Sequence, residues 1–198
     1  MFRRKRNRYS FYQKKKTLTP KIIREVLSWL FVTVVAVALA FVFVSVFGMQ
    51  VSNIGDSMTP TFSNGQILLV NRLSYKILRP SKGDIIVFLP NGNTNSHYYV
   101  KRVVAVSGDV VQIIDGKLYI NGEIAEEDSE LYDKMEDAGI AANEIKLKSG
   151  EYFVLGDNRN SSEDSRSANI GVVTGKMIVG KVWFKFKAAD AGGGFVLK

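Results

Sequence analysis

Between Val26 and Phe47 the chain runs 22 residues without a charged side chain, VLSWLFVTVVAVALAFVFVSVF. As a helix rising ~1.5 Å per residue this run spans about 33 Å, close to the ~30 Å of a bilayer's hydrocarbon core. Few helices buried in soluble proteins are so long and so uniformly apolar. A cleavable signal peptide has an apolar core of only ~7–15 residues. The run therefore reads as an uncleaved anchor, although Gly48 supplies the small-residue junction that cleavage would need. Trp29 suits a membrane–water interface. The expectation is one transmembrane helix over 25–48, which sorts everything else to one side or the other.

Charge falls unevenly about this helix. The net charge is +8, yet residues 1–25 hold ten Lys/Arg and one acid, while the remainder holds 17 Lys/Arg against 18 Asp/Glu. A nucleic-acid-binding domain carries its own basic face, and the nearly neutral remainder does not. The alternative for the tail itself is a nucleic-acid-binding arm. The asymmetry fits membrane orientation and contact with anionic lipid better, so no nucleic-acid partner is expected. The positive-inside rule puts residues 1–24 in the cytoplasm as a basic tail, disordered before Pro20, and everything after about residue 48 outside.

There is no Cys and a single His, His97. This removes disulfides, thiolate metal sites and a Cys nucleophile. A Ser-His-Asp triad is possible only if His97 serves in it. No metal and no cofactor are expected.

The exterior part, 49–190, reads as mostly β. Gln66–Asn71 and Asp84–Leu89 are short apolar runs bounded by Asn-Gly, Lys-Gly and Pro-Asn-Gly turn signals. Tyr98–Val106 continues the pattern and breaks at Ser107-Gly108-Asp109. Val110–Ile114, Asp115-Gly116 and Lys117–Ile120 form a hairpin with a favoured two-residue turn. Residues 123–150 are acidic and weakly apolar, with a short helix possible over Asp133–Ala142, and about 115–150 reads as a small excursion from the main sheet. Strands return at Glu151–Leu155 and Met177–Phe186, and 191–198 reads as a flexible tail.

Ser57 stands between a turn-favouring Gly55-Asp56 pair and Met58-Thr59-Pro60-Thr61. It is either a turn-capping Ser or a presented hydroxyl. A nucleophilic Ser needs a base within hydrogen-bond reach. Lys101 lies in an apolar strand, where burial would lower its pKa from ~10.4 toward neutrality. Its other reading is an outward Lys on an alternating strand.

Ser57-Met58-x-Pro60-Thr61, Gly83-Asp84 with Ile85–Phe88, Tyr99-Val100-Lys101-Arg102 with Gly108-Asp109, and Gly156-Asp157-Asn158-Arg159 with Ser162-x-Asp164-Ser165-Arg166 together resemble the ordered motifs of type I signal peptidases. The similarity runs from the anchor to about Phe186. Each motif alone is unspecific, and their order behind an anchor is what carries the resemblance.

The resemblance implies a signal-peptidase-like antiparallel β domain on a single N-terminal helix in the bacterial cell membrane. It implies a serine endopeptidase that cleaves signal peptides from exported preproteins through a Ser/Lys dyad and an acyl-enzyme. Ser57 would be the nucleophile and Lys101 the base, with the Ser162 hydroxyl orienting the Lys amine. Asp157, Arg159, Asp164 and Arg166 would form a supporting polar cluster. Met58, Phe62, Tyr99 and Val100 would line shallow pockets for small side chains at −1 and −3. Preproteins, membrane lipid and the secretion machinery are the implied partners.

Some relatives carry a Ser two residues before the nucleophile to help form the oxyanion hole; here that position is Gly55. Two other readings stay open. One is a non-catalytic anchored relative acting as scaffold. The other is a Ser/Lys self-cleaving regulator, which would need a DNA-binding domain where this chain has its apolar run.

Overall fold

The computed structural model describes residues 19–93, 97–125, 132–189 and 191–196. The basic tail as far as Leu18 lies outside the described residues, as do 126–131 of the acidic excursion. The chain divides into two compact units, Met1–Phe41 and Val42–Lys198.

One helix, α1, covers Pro20–Phe47, 28 residues. It begins five residues before the expected boundary. Pro20 explains the start, because its fixed φ suits the first helical position and its missing N–H is one that a helix leaves unpaired anyway. The Ile23 N–H closes the first turn on the Thr19 carbonyl at 3.2 Å. No residue of α1 is buried, although the helix is apolar all round from Val26, which is the character of a segment solvated by lipid. It is long and apolar enough to cross a membrane.

Among the described residues the second unit holds twelve strands. They are β1 (Met49–Ser52), β2 (Ile67–Asn71), β3 (Ile85–Phe88), β4 (Tyr99–Ala105), β5 (Val110–Ile114), β6 (Lys117–Ile120), β7 (Glu123–Ile124), β8 (Ile145–Lys146), β9 (Glu151–Leu155), β10 (Val173–Thr174), β11 (Ile178–Lys185) and β12 (Gly194–Phe195). The larger sheet runs β1-β2-β11-β3-β4-β9-β10 with β12 added to β11, and the smaller runs β7-β6-β5-β8. All pairings are antiparallel.

The smaller sheet grows from a hairpin at Asp115-Gly116. Ile114 pairs with Lys117, so the loop is two residues long. Both take positive φ, 50° and 75°, the geometry that the twist of a tight hairpin demands and that Asp-Gly supplies cheaply. No α-helix forms over Asp133–Ala142; a 3-10 turn at Gly139–Ala142 is all that appears. Segment 191–198, read as a tail, contributes β12, which pairs with Phe184 and Lys185.

Three apolar clusters fill the unit. The one under the first loop joins Val51, Met58, Phe62, Leu68, Val70, Ile85, Val87, Val100 and Val182. Phe62 and Met58 are fully buried there, each contributing about 1.5–3 kcal/mol of burial.

β4 is the strand that matters for chemistry. β3 pairs with it from Tyr99 to Arg102, whereas β9 pairs only from Arg102 to Ala105. On the β9 side, Tyr99–Lys101 therefore form an edge with no strand partner among the described residues. Lys101 sits where this edge begins.

Candidate active site

Ser57 rides on the loop from β1 to β2, and this loop is closed on itself. The Asn53 N–H donates to Gln66 O at 2.9 Å, and Gly65 N–H donates to Asn53 O at 2.7 Å. The buried Asn53 amide donates to Ser63 O at 3.0 Å, and Gly55 N–H donates to Asn64 Oδ1 at 3.0 Å. Gly55 has φ 79°, a conformation that favours glycine and turns the chain toward Ser57.

The Ser57 Oγ and Lys101 Nζ share a hydrogen bond of 2.6 Å across 44 residues of sequence. Lys101 is 4% exposed. Burial lowers its pKa to about 8, against the opposing pull of Asp164, Glu163 and Asp157; Arg166 adds to the lowering. A Lys with that pKa is neutral in about a tenth of molecules at pH 7, far more than a free Lys. The pair has the composition and contact of an activated nucleophile.

Around the pair lies an open cleft of about 460 Å³ whose walls include Asn53–Ser57, His97–Lys101, Ser161 and Glu163. Tyr99 and Val100 stand on its wall. Met58 and Phe62 do not. The turn that gives Phe62 N–H to Met58 O at 2.9 Å tucks both side chains into the core at 0% exposure, so they pack behind the cleft rather than line it.

The four residues expected to form one polar cluster fall into two groups. Asp164 and Arg166 pair at 2.9 Å, and Arg166 also donates to the carbonyl of Arg159. Arg159 stacks its guanidinium over the Tyr132 ring at 4.1 Å. Asp157 instead takes two bonds from Arg102, 2.8 Å from Nε and 2.7 Å from Nη2, and accepts the Thr61 hydroxyl. Arg102 and Thr61 are residues that sequence reasoning did not assign to the site. The signal was present, since alternation along a strand sends Arg102 to the face opposite Lys101, where a buried guanidinium requires a carboxylate.

The Ser162 hydroxyl does not bond the Lys101 amine here. Its Oγ is buried with no partner among the described residues. A third missed residue explains its position. A Cβ placed on Gly156 would collide with Ser162 Oγ and with the Ser57 carbonyl oxygen. Gly156 lets the loop after β9 pass against the nucleophile, and Asn158 N–H fastens it there, donating to Ser57 O at 3.1 Å. A Gly ending an apolar strand is the signal for such a close approach.

Gly83 and Asp84 lie away from the cleft, in the turn before β3. Burial alone would raise the Asp84 pKa, but hydrogen bonds from Lys181, Ser81 N–H and Tyr75 outweigh it and hold it below the usual carboxylate value. Among the described residues no cluster of His, Asp and Glu could hold a metal.

The family described as "Signal peptidase, peptidase S26" matches residues 26–187. Signal peptidase IB of Staphylococcus aureus (strain COL) is 34% identical over 181 residues, covering 82% of this chain and 90% of its own. Signal peptidase I T of Bacillus subtilis (strain 168) is 38% identical over 138 residues, covering 67% and 70%. A crystal structure of a signal peptidase I from Enterococcus faecalis V583 is 30% identical, covering 52% of this chain and 96% of its own, with a TM-score of 0.39. The match to residues 26–187 spans the apolar helix, the Ser57 loop, β4 and the loop after β9, and by it the chain belongs to the signal peptidase family, peptidase S26.

Proposed function

We propose that this signal peptidase is a serine endopeptidase working through Ser57 and Lys101. The observation that carries the reading is the 2.6 Å contact between the Ser57 hydroxyl and a buried Lys amine. In the active form Lys101 is neutral and accepts the Ser57 proton while Oγ attacks the scissile carbonyl carbon. The tetrahedral oxyanion collapses, the peptide C–N bond breaks, and Lys101 returns the proton to the departing amine. Water, deprotonated by Lys101, then attacks the carbonyl carbon of the Ser57 ester; the C–Oγ bond breaks, Lys101 returns the proton to Oγ, and the signal peptide leaves as a carboxylate.

Gly55 N–H is already given to Asn64 Oδ1, so the Ser57 N–H is the donor for the oxyanion. Ser162 serves as the orienting hydroxyl. A buried hydroxyl without a partner costs about 1–3 kcal/mol, so closing it onto the Lys101 amine is favourable. The substrate binds extended along the open Tyr99–Lys101 edge, between it and the Asn53–Asp56 wall, with small side chains at −1 and −3. Tyr99 and Val100 line those subsites, and Met58 and Phe62 stiffen them from behind.

The basic tail sets the topology, with residues 1–24 cytoplasmic and the β unit outside the cell membrane. The anchor then concentrates the enzyme on preproteins held in the same bilayer, beside the secretion machinery. The test is incubation of the full chain in detergent with a preprotein, the cut being read by mass spectrometry. One cut after small residues at −3 and −1, lost in Ser57→Ala, is expected; cleavage by Ser57→Ala at the original rate overturns the reading.

A further inference from the structure

Glu163 stands on the wall of the cleft that holds Ser57 and Lys101. It stands between Ser162 and Asp164 and is not one of the residues assigned to the dyad chemistry. Its side chain is solvent-exposed, yet it is held in place. The Tyr99 hydroxyl, 64 residues away in sequence, donates to Glu163 Oε2 at 3.1 Å. Tyr99 and Lys101 are two apart on β4 and so share a face, and the Lys101 Nζ lies 5.6 Å from the Tyr99 ring centre. The Tyr99 ring thus links the amine of the reacting pair to the Glu163 carboxylate.

Among the cleft-lining residues the acidic side chains are Asp56 and Glu163, and the basic ones are His97 and Lys101. Lys101 must be uncharged to act, so the wall is negative when catalysis occurs. A carboxylate has about four lone-pair sites, and the Tyr99 bond uses one. An anchored carboxylate also loses little side-chain entropy on pairing, which is the main cost of a flexible ion pair.

We propose that Glu163 is a specificity-determining residue that receives a basic side chain, Lys or Arg, of the substrate at a position flanking the cleaved bond. This deepens the Ser57/Lys101 reading and rests on it. A substrate lying extended along the Tyr99–Lys101 edge sends alternate side chains to opposite faces, so the preference is local to the position facing Glu163 and does not spread along the peptide.

The test uses the full chain in detergent and a fluorogenic peptide with small residues before the cleaved bond and Gln at every flanking position. Lys is then moved through those positions one at a time. The readout is the ratio of kcat/KM for the Lys peptide to that for the Gln peptide, taken within each protein, so that a general loss of activity cancels. The expected ratio in the wild type is about 2- to 5-fold at one position, the size of an exposed ion pair, and it shrinks with added salt. Glu163→Gln should bring it to one and Glu163→Lys should invert it. Equal ratios in wild type and Glu163→Gln, or a preference spread evenly over all positions, would overturn the proposal. Ser57→Ala is run on the all-Gln peptide; persisting cleavage there would refute the dyad itself, a separate outcome.

Discussion

Arg102 grips both carboxylate oxygens of Asp157, with Nε at 2.8 Å and Nη2 at 2.7 Å. Arg102 follows Lys101 on β4, and Asp157 precedes the residue whose N–H holds the Ser57 carbonyl. This one ion pair therefore joins the strand that bears the base to the loop that supports the nucleophile. The Asp157 side chain is 1% exposed and that of Arg102 11%.

Removing either partner leaves a buried charge uncompensated, which costs about 3–5 kcal/mol. Arg102→Met and Asp157→Asn should each lower the stability of the β unit by that order and reduce kcat. The double variant should lose much less than the sum. Thermal unfolding of the four proteins in detergent checks this, and additive losses would contradict it.

Gly156→Ala should lower kcat by more than tenfold, because its Cβ must displace Ser162 or the Ser57 carbonyl. A misplaced reacting group can cost about 10²-fold. Pairing it with Ser162→Gly removes one of the two obstacles and should recover part of the lost thermal stability, though not the rate, since it also deletes the orienting hydroxyl. Wild-type kcat in Gly156→Ala would show that the close approach has no catalytic consequence.

Ser57 and Lys101 were singled out by the resemblance of four ordered motifs, since local pattern alone left a turn-capping Ser and an outward strand Lys as open readings. Ser57 follows a turn signal and Lys101 interrupts an apolar strand. The anchor was plain, but its start was not; Pro20 extends the helix beyond the apolar run. Pocket residues were harder. Whether Met58 and Phe62 face a cleft or the core depends on a turn closed by one backbone bond, and hydrophobicity is the same in both cases. Strand alternation indicates that Arg102 needs a carboxylate, but local pattern does not say that it is Asp157, 55 residues further on. The smaller sheet was readable only at its Asp115-Gly116 hairpin, since two-residue strands such as β7 and β8 leave no periodicity.

The pH dependence follows from Lys101. Its pKa is lowered by burial to about 8, and the neutral amine is the active form. kcat/KM should therefore rise tenfold per pH unit below about 8 and level off above it. Folding stability moves in the same direction. Between pH 8 and about 10.5 the unfolded chain holds a proton that the folded one has lost, so stability rises with pH there. At pH 7 the Lys101→Met variant should exceed the wild type by about 2–3 kcal/mol more than it does at pH 10.5. A pH-independent difference between the two would contradict the buried-amine account.

Gly55→Ser should keep the enzyme active. Among the described residues, none beyond the chain neighbours Ile54 and Asp56 has an atom within 4 Å of a Cβ built there, so space is not the obstacle. The φ of 79° is, and it should cost about 1–2 kcal/mol of stability. A folded Gly55→Ser protein with no cleavage would mean that the loop geometry at Ser57 tolerates no side chain at that position.

The central claim is that Lys101 is the base. Cleavage of a preprotein by Lys101→Ala, in protein shown to be folded, tests it most directly. Loss of a positioned base costs about 10²–10⁴-fold, and Lys101→Arg should be equally inactive because guanidinium stays charged. The account predicts a fall of that size in both. Near-normal turnover by Lys101→Ala would contradict it and would point to His97, the other basic side chain on the cleft wall.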